Sequence, residues 1–328
     1  MNYSINEQLL SFDRVLLRGD EVPALVKDSN GRYILQFYAP NAREVSFVIQ
    51  EIERKCIKGS DGVWRTEYPL KTAMNFVQLR IDGVDVLTHL LPISYGYSKP
   101  YNYVALDTEE KMCEIRNIPH GCVRREYFFS KVTGEWDSCM VYTPYCYDTE
   151  VDKVFPILYL QHGHGENEVS WIASGKVNFI MDNLIAEGKA VPFVIVMSNG
   201  MVQTQDDKHG RYVDFRLFER KLFEDIIPFA ESRFRAGGSR TMRAMAGLSM
   251  GSLQTCICGF THPEVFYALG VFSGFVSDII TGSPLDVPDR GPGDNSHLEI
   301  LNDSKAFARY FPVFFRAMGD KDPFWCYF

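Results

Sequence analysis

The sequence predicts a two-part chain, an all-β sandwich followed by an α/β unit built on a mostly parallel sheet. Three observations carry this expectation. The 328 residues amount to about two domains at roughly 150 residues each. Residues 1 to about 105 repeat short aromatic and β-branched runs between turn residues, the grammar of a sandwich. From about 106 to 328, buried-strand runs alternate with helical runs, the grammar of a parallel sheet covered by helices.

The first part is read strand by strand. Arg32–Tyr38, Glu44–Ile49, Gly62–Tyr68 and Phe76–Ile81 are strand-like, and Ser29-Asn-Gly31, Ala39-Pro-Asn41, Gly59-Ser-Asp-Gly62 and Asp82-Gly83 separate them. Asp82-Gly83 is the composition of a tight hairpin turn. The stretch from Tyr97 through Glu110 reads as a linker. Beyond it, Phe155–Leu160, Phe193–Met197, Met242–Ala246, Ala268–Phe272 and Val313–Ala317 read as strands. Phe179–Ile185, Arg220–Ile227 and a run from Met250 to Phe260 read as helices.

Composition excludes several classes. Hydrophobic residues make up 46% and charged residues 23%, enough apolar material for a core. Lys plus Arg is 34 against 42 for Asp plus Glu, a net charge of −8. Such a chain is a poor binder of nucleic acid or anionic membrane, so neither partner is expected. No stretch approaches the roughly 18 apolar residues of a membrane span. The start, MNYSINEQLL, lacks the basic and apolar regions of a signal peptide. The eight cysteines include no CxxC pair. Reduced thiols and a cytoplasmic location are therefore expected.

Gly247-Leu-Ser-Met-Gly251 fits G-x-S-x-G, and it lies between a strand and a helix-compatible run. That is the setting of a nucleophile elbow, which makes Ser249 the candidate nucleophile and the Met250 N–H an oxyanion donor. The glycines let the backbone strain and its neighbours approach. A second donor is expected from an early strand–helix loop. Leu160-Gln-His-Gly-His-Gly165 follows a strand directly and points to the His164 N–H. The competing reading, His162 and His164 as metal ligands, lacks a third ligand at useful spacing. No metal and no organic cofactor are expected.

These motifs, with His162-Gly-His-Gly-Glu-Asn-Glu-Val-Ser-Trp171, Asp182–Gly188, Val194–Gly200 and Phe272-Ser-Gly274, resemble the esterase family that contains feruloyl and acetylxylan esterases, carbohydrate esterase family one. The resemblance covers about residues 115–328. It implies an α/β-hydrolase fold and serine carboxylic-ester hydrolysis. Residues 20–105 resemble, more weakly, the immunoglobulin-like early-set sandwich that precedes such domains. Two positions depart from the family pattern, Ser252 and His164, where relatives usually carry Gly. The family's Gly-x-x-Asp pattern after strand Val313–Ala317 selects Asp322 as the triad acid, with Asp320 as competitor.

The triad order is Ser, then acid, then His. Every histidine in the sequence precedes Asp322. His262 and His297 are the in-chain substitutes considered. A sheet lacking its last strand, an impaired enzyme, and self-association through an exposed edge at Val313–Ala317 are therefore expected.

The resemblance implies a hydroxycinnamoyl or acetyl ester on plant oligosaccharide as substrate, with Trp171 lining the acyl pocket. A siderophore esterase of the enterochelin type is the alternative, for which Arg211, Arg216 and Arg220 form the nearest basic cluster, read as helical. A different class is a glycan-binding protein with a degenerate hydrolase half, in which Trp64, Tyr95, Tyr97, Tyr101 and Tyr103 stack on sugars.

Overall fold

The computed structural model describes residues 22–71, 73–96, 98–106, 112–208, 210–274, 276, 296–322 and 325. Tyr97, His209 and the loop of 291–295 lie outside them. The chain divides at Arg116/Asn117, later than the expected 105/106, and the first unit also takes in Ile172–Ile180.

The first unit carries β1 (Leu25–Lys27), β2 (Tyr33–Tyr38), β3 (Val45–Ile49), β4 (Ile52–Lys58), β5 (Val63–Thr66), β6 (Ala73–Ile81), β7 (Val84–Val86), β8 (Ile93–Gly96) and β9 (Lys99–Leu106). All its pairings are antiparallel. Eight of these strands run in one hydrogen-bonded path, β1-β2-β5-β4-β3-β6-β9-β8, because β4 pairs with both β3 and β5, and β7 pairs with β6 off that path. Leu35, Val45, Phe47, Val77, Leu79 and Val104 are fully buried and make this unit's own core. Asp82 and Gly83 both have positive φ, 49° and 83°, and close the β6–β7 hairpin at Ile81↔Val84. Positive φ at both central residues is what a type I′ turn requires.

Two expectations for this unit are corrected. The stretch read as a linker contains strand β9, paired with β6 and β8. Pro100 precedes the part of β9 that pairs with β6, so its missing N–H breaks no bond of that ladder. Asn102 is satisfied internally, accepting from the Thr88 N–H and donating to the Thr88 carbonyl. Among the aromatics considered for sugar stacking, Trp64, Tyr101 and Tyr103 are buried. The Trp64 Nε1–H donates to the Ala39 carbonyl, and the Tyr103 hydroxyl donates to that of Ala173. They are core, not platform.

The second unit holds β10 (Cys122–Phe129), β11 (Trp136–Thr143), β12 (Ile157–Gln161), β13 (Val194–Ser198), β16 (Arg243–Leu248), β17 (Ala268–Phe272) and β18 (Val313–Ala317). Their order is β10-β11-β13-β12-β16-β17-β18, with β18 the edge strand among the described residues. Within this sheet the pairings along β13-β12-β16-β17-β18 are all parallel, and the β10–β11 and β11–β13 pairings are antiparallel. A separate hairpin is formed by β14 (Gln203–Asp206) and β15 (Gly210–Val213). The α-helices among the described residues are α1 (Ser170–Ala173), α2 (Val177–Ala186), α3 (Phe218–Lys221), α4 (Ile227–Arg233), α5 (Met250–Thr261) and α6 (Ser304–Tyr310), of which α1 and α2 are divided between the units by the segment Ile172–Ile180.

A π-helical turn, Leu222–Ile226, joins α3 to α4 just before Pro228. Proline has no N–H for the carbonyl four residues back, so the helix widens there and then resumes. Tyr159, Val194, Val196, Phe218, Met245, Phe266 and Val271 are fully buried around the sheet. No helix among the described residues is long and apolar enough to cross a membrane.

Candidate active site

The parallel strands all end at one edge of the sheet, where an open α/β sheet binds its ligands. The loops after β12, β13, β16, β17 and β18 therefore meet there. Ser249 sits at the junction of β16 and α5 with φ 53° and ψ −114°. A non-glycine residue in that region is strained and is held there by its surroundings. The Ser249 N–H donates to the Phe272 carbonyl at the end of β17 (3.0 Å). Its own carbonyl accepts from the Ser252 N–H and hydroxyl, at 2.9 and 2.5 Å.

The glycines of the motif have a steric reason. A β-carbon on Gly247 would lie 2.2 Å from the Gly251 carbonyl oxygen, and one on Gly251 would lie 2.7 Å from the carbonyl oxygens of Gln161 and His162. The elbow is thus pressed against the end of β12. Ser252, the departure from the family pattern, is buried, and a β-carbon on Gly274 would meet its hydroxyl at 2.0 Å. The extra hydroxyl is accommodated because residue 274 is glycine.

The loop after β12 closes a β-turn of Gly163, His164, Gly165 and Glu166. The Glu166 N–H donates to the Gly163 carbonyl (3.2 Å), and Gly165 takes φ 75°. The Glu166 carboxylate bonds the turn a second time, accepting the Gly163 N–H at 2.8 Å. A β-carbon on Gly163 would lie 3.4 Å from this carboxylate oxygen and 3.6 Å from the Ser249 Cβ. The turn therefore abuts the nucleophile. Burial pushes the Glu166 carboxyl above its ordinary range despite the bond from Gly163. Glu166 escaped the sequence reading, since a lone Glu after a glycine loop carries no spacing signal.

His162 is not a metal ligand. Its Nε2 accepts the Gly200 N–H (3.0 Å), which leaves Nδ1–H to donate to the Gly163 carbonyl (2.8 Å). Both ring nitrogens are used, and burial lowers its pKa from 6.5 to about 4. The ring ties the β12 loop to the β13 loop. That second loop is fixed in turn by Gln254, whose Nε2 donates to the Gly200 carbonyl, and by buried Lys221, which donates to the Asn199 carbonyl and pairs with Asp137. The side chain of His164 is exposed. Among the described residues no group of three or more His, Cys, Asp or Glu is placed to hold a metal.

The other expected residues are placed as follows. Met250 is buried at the first position of α5, where a helix leaves its N–H groups without intrahelical acceptors. Trp171 is half-buried in α1. Its Nε1–H donates to the Gln161 carbonyl (2.9 Å), and its ring stands edge-on to Phe272 at 6.5 Å. It thus stands between the ends of β12 and β17. Asp322 is half-buried in the turn after β18, its N–H bonded to the Gly319 carbonyl, whereas Asp320 is exposed. The same end of β18 is tied to the site through the Ser273 N–H, which donates to the Ala317 carbonyl.

His297 does not approach Ser249. Its Nε2 bonds the Val276 carbonyl, and its ring stacks on Phe260, ten residues beyond Met250 and so about 15 Å along α5. His262 pairs with Glu219 at 3.1 Å beyond the far end of the same helix. The arginine cluster is also corrected. Arg211 lies on strand β15, not a helix, and grips Glu135, while Arg216 and Arg220 pair with Asp214 and Glu224. The seven described cysteines are free thiols, and burial pushes Cys56, Cys139 and Cys256 up to about 12.

The model of the family described as putative esterase matches residues 130–325. The chain belongs to that family. It is by family a serine esterase. A curated relative, the endo-1,4-beta-xylanase/feruloyl esterase of Xylanibacter ruminicola, is 35% identical over 307 residues. That match takes in 87% of this chain and 41% of the relative, so the chain spans about two fifths of the relative's length. Among solved structures, a ferulic acid esterase is 27% identical with a TM-score of 0.51, covering 61% of this chain and 80% of its own. The enterobactin esterase of Shigella flexneri reaches a TM-score of 0.57 at 12% identity, over 88% of this chain and 87% of its own, a likeness of fold.

Proposed function

We propose that the chain cleaves hydroxycinnamoyl or acetyl esters on plant polysaccharide fragments, with Ser249 as the nucleophile. The observation that carries this reading is the strained Ser249 backbone at the strand–helix junction, with the Gly163–Glu166 turn packed against it. Ser249 attacks the acyl carbonyl. The Met250 N–H at the start of α5 and the His164 N–H on the turn hold the developing oxyanion. Asp322, in the loop after β18, takes the place of the triad acid, and Trp171 forms a wall for the acyl group. His262 and His297 are engaged elsewhere, so the Ser249 proton passes to solvent and turnover is slow beside that of a complete triad. A relative that joins a xylanase name to a feruloyl esterase name supports the choice of acyl and polymer. A siderophore ester is the less supported substrate, because Arg211, Arg216 and Arg220 are each engaged by a carboxylate and offer no basic pocket for an acidic catecholate.

The test is ferulate release from methyl ferulate and from feruloylated arabinoxylan oligosaccharide. Release that disappears in Ser249→Ala supports the reading, and equal release by both proteins refutes it.

A further inference from the structure

On the β10–β11 hairpin of the second unit, strand alternation sends Phe128 into the core and its neighbours Tyr127 and Phe129 out to the opposite face. Trp136, directly opposite Phe129 in the register, shares that outer face. The three rings are 63%, 53% and 73% exposed, the last being Trp136. Phe129 and Trp136 stand edge-to-face at 5.9 Å. A groove of about 420 Å³ beside them is lined by all three rings with Lys131, Glu224 and Ser232. Large aromatics left this exposed and adjacent mark an interaction surface.

The platform is held rigid. The buried Asp225 carboxylate accepts the Ser130 hydroxyl (2.6 Å) and the N–H groups of Lys131 (3.0 Å) and Val132 (3.3 Å) in the hairpin turn. Arg211 clamps Glu135 in the same turn with two bonds of 2.9 Å. Fixed rings lose little freedom when a ligand docks.

We infer that this hairpin face is a docking site for a neutral polysaccharide chain. A pyranose presents an apolar C–H face, which stacks on an aromatic ring, and equatorial hydroxyls around its rim. The groove offers the matching pair of features, three aromatic rings and a polar border of amine, carboxylate and hydroxyl. Its charge is largely spoken for: the lining holds one amine, Lys131, and two carboxylates, of which Glu224 is paired with Arg220 and Asp225 accepts three bonds from the hairpin turn, so the groove favours a neutral ligand. The groove stands apart from the esterase reading, and only the choice of xylan as first probe rests on that reading.

The experiment is affinity electrophoresis of the full chain through gels containing alkali-treated arabinoxylan, which carries no ester, with β-glucan and mannan gels alongside. Retardation of the parent is expected, with about tenfold weaker binding in Phe129→Ala/Trp136→Ala, about 1.4 kcal/mol. Circular dichroism verifies that the variant folds. Hydrolysis of methyl ferulate, measured in parallel, reports on the esterase reading alone. Unretarded parent in every neutral polymer overturns the inference, as does equal retardation of the variant. A concentration-dependent dimer abolished by the variant, without any retardation of the parent, also overturns it by assigning the face to a second copy.

Discussion

Lowering the pH should destabilise the second unit through His162. The ring is 1% exposed and bonded on both nitrogens, so the folded chain keeps it neutral down to about pH 4, against an ordinary value of 6.5. Between those values the unfolded chain binds a proton that the folded chain refuses, and stability therefore falls as pH falls. At about 1.4 kcal/mol per unit of pKa, the loss is about 2 kcal/mol between pH 7 and 5 and about 3 kcal/mol by pH 4. Urea denaturation followed by tryptophan fluorescence at each pH measures it. Other acids titrate in the same range, so the decisive quantity is the difference between parent and His162→Gln. The variant should start about 1–3 kcal/mol less stable at pH 7, having lost a buried bonding partner. It should then lose about 2 kcal/mol less than the parent on going to pH 5. Equal pH dependence in the two proteins refutes the argument.

Three further outcomes are expected. Ser249→Gly should abolish ester hydrolysis while raising stability by about 1 kcal/mol in thermal or urea unfolding, because glycine adopts φ 53° without strain. Gly251→Ala should destabilise by about 1–3 kcal/mol and impair hydrolysis, since its β-carbon presses on the carbonyls of Gln161 and His162 and moves the oxyanion turn. Val313 and Phe315 are exposed on β18, the edge strand among the described residues, so the parent should self-associate in light scattering and Phe315→Lys should reduce it.

The parts of the site that could be read from the sequence are those where sterics leave few choices. Gly247 and Gly251 flank Ser249 because any β-carbon there meets backbone, and a constraint that tight is written in the residues themselves. The Asp82-Gly83 turn was legible for the same reason, both residues needing positive φ. What stayed hidden depends on partners distant in the chain. Trp64, Tyr101 and Tyr103 look like Tyr127, Phe129 and Trp136 in sequence, and only the packing around them decides that the first three are buried and the second three exposed. Strand β9 was masked by Pro100 and Asn102, which punctuate loops unless neighbouring strands absorb them. Glu166 was hidden because its role comes from folding back on Gly163. The arginines read as one helical face are split between strand β15 and helix α3 and its approach, each with its own carboxylate.

The central claim is that Ser249 is the nucleophile. The most direct measurement is intact-mass and peptide mass spectrometry after exposure to a serine-directed phosphonate. The account predicts a single adduct, mapped to Ser249 and absent from Ser249→Ala. No adduct on the parent, or an adduct that persists in the variant, contradicts it.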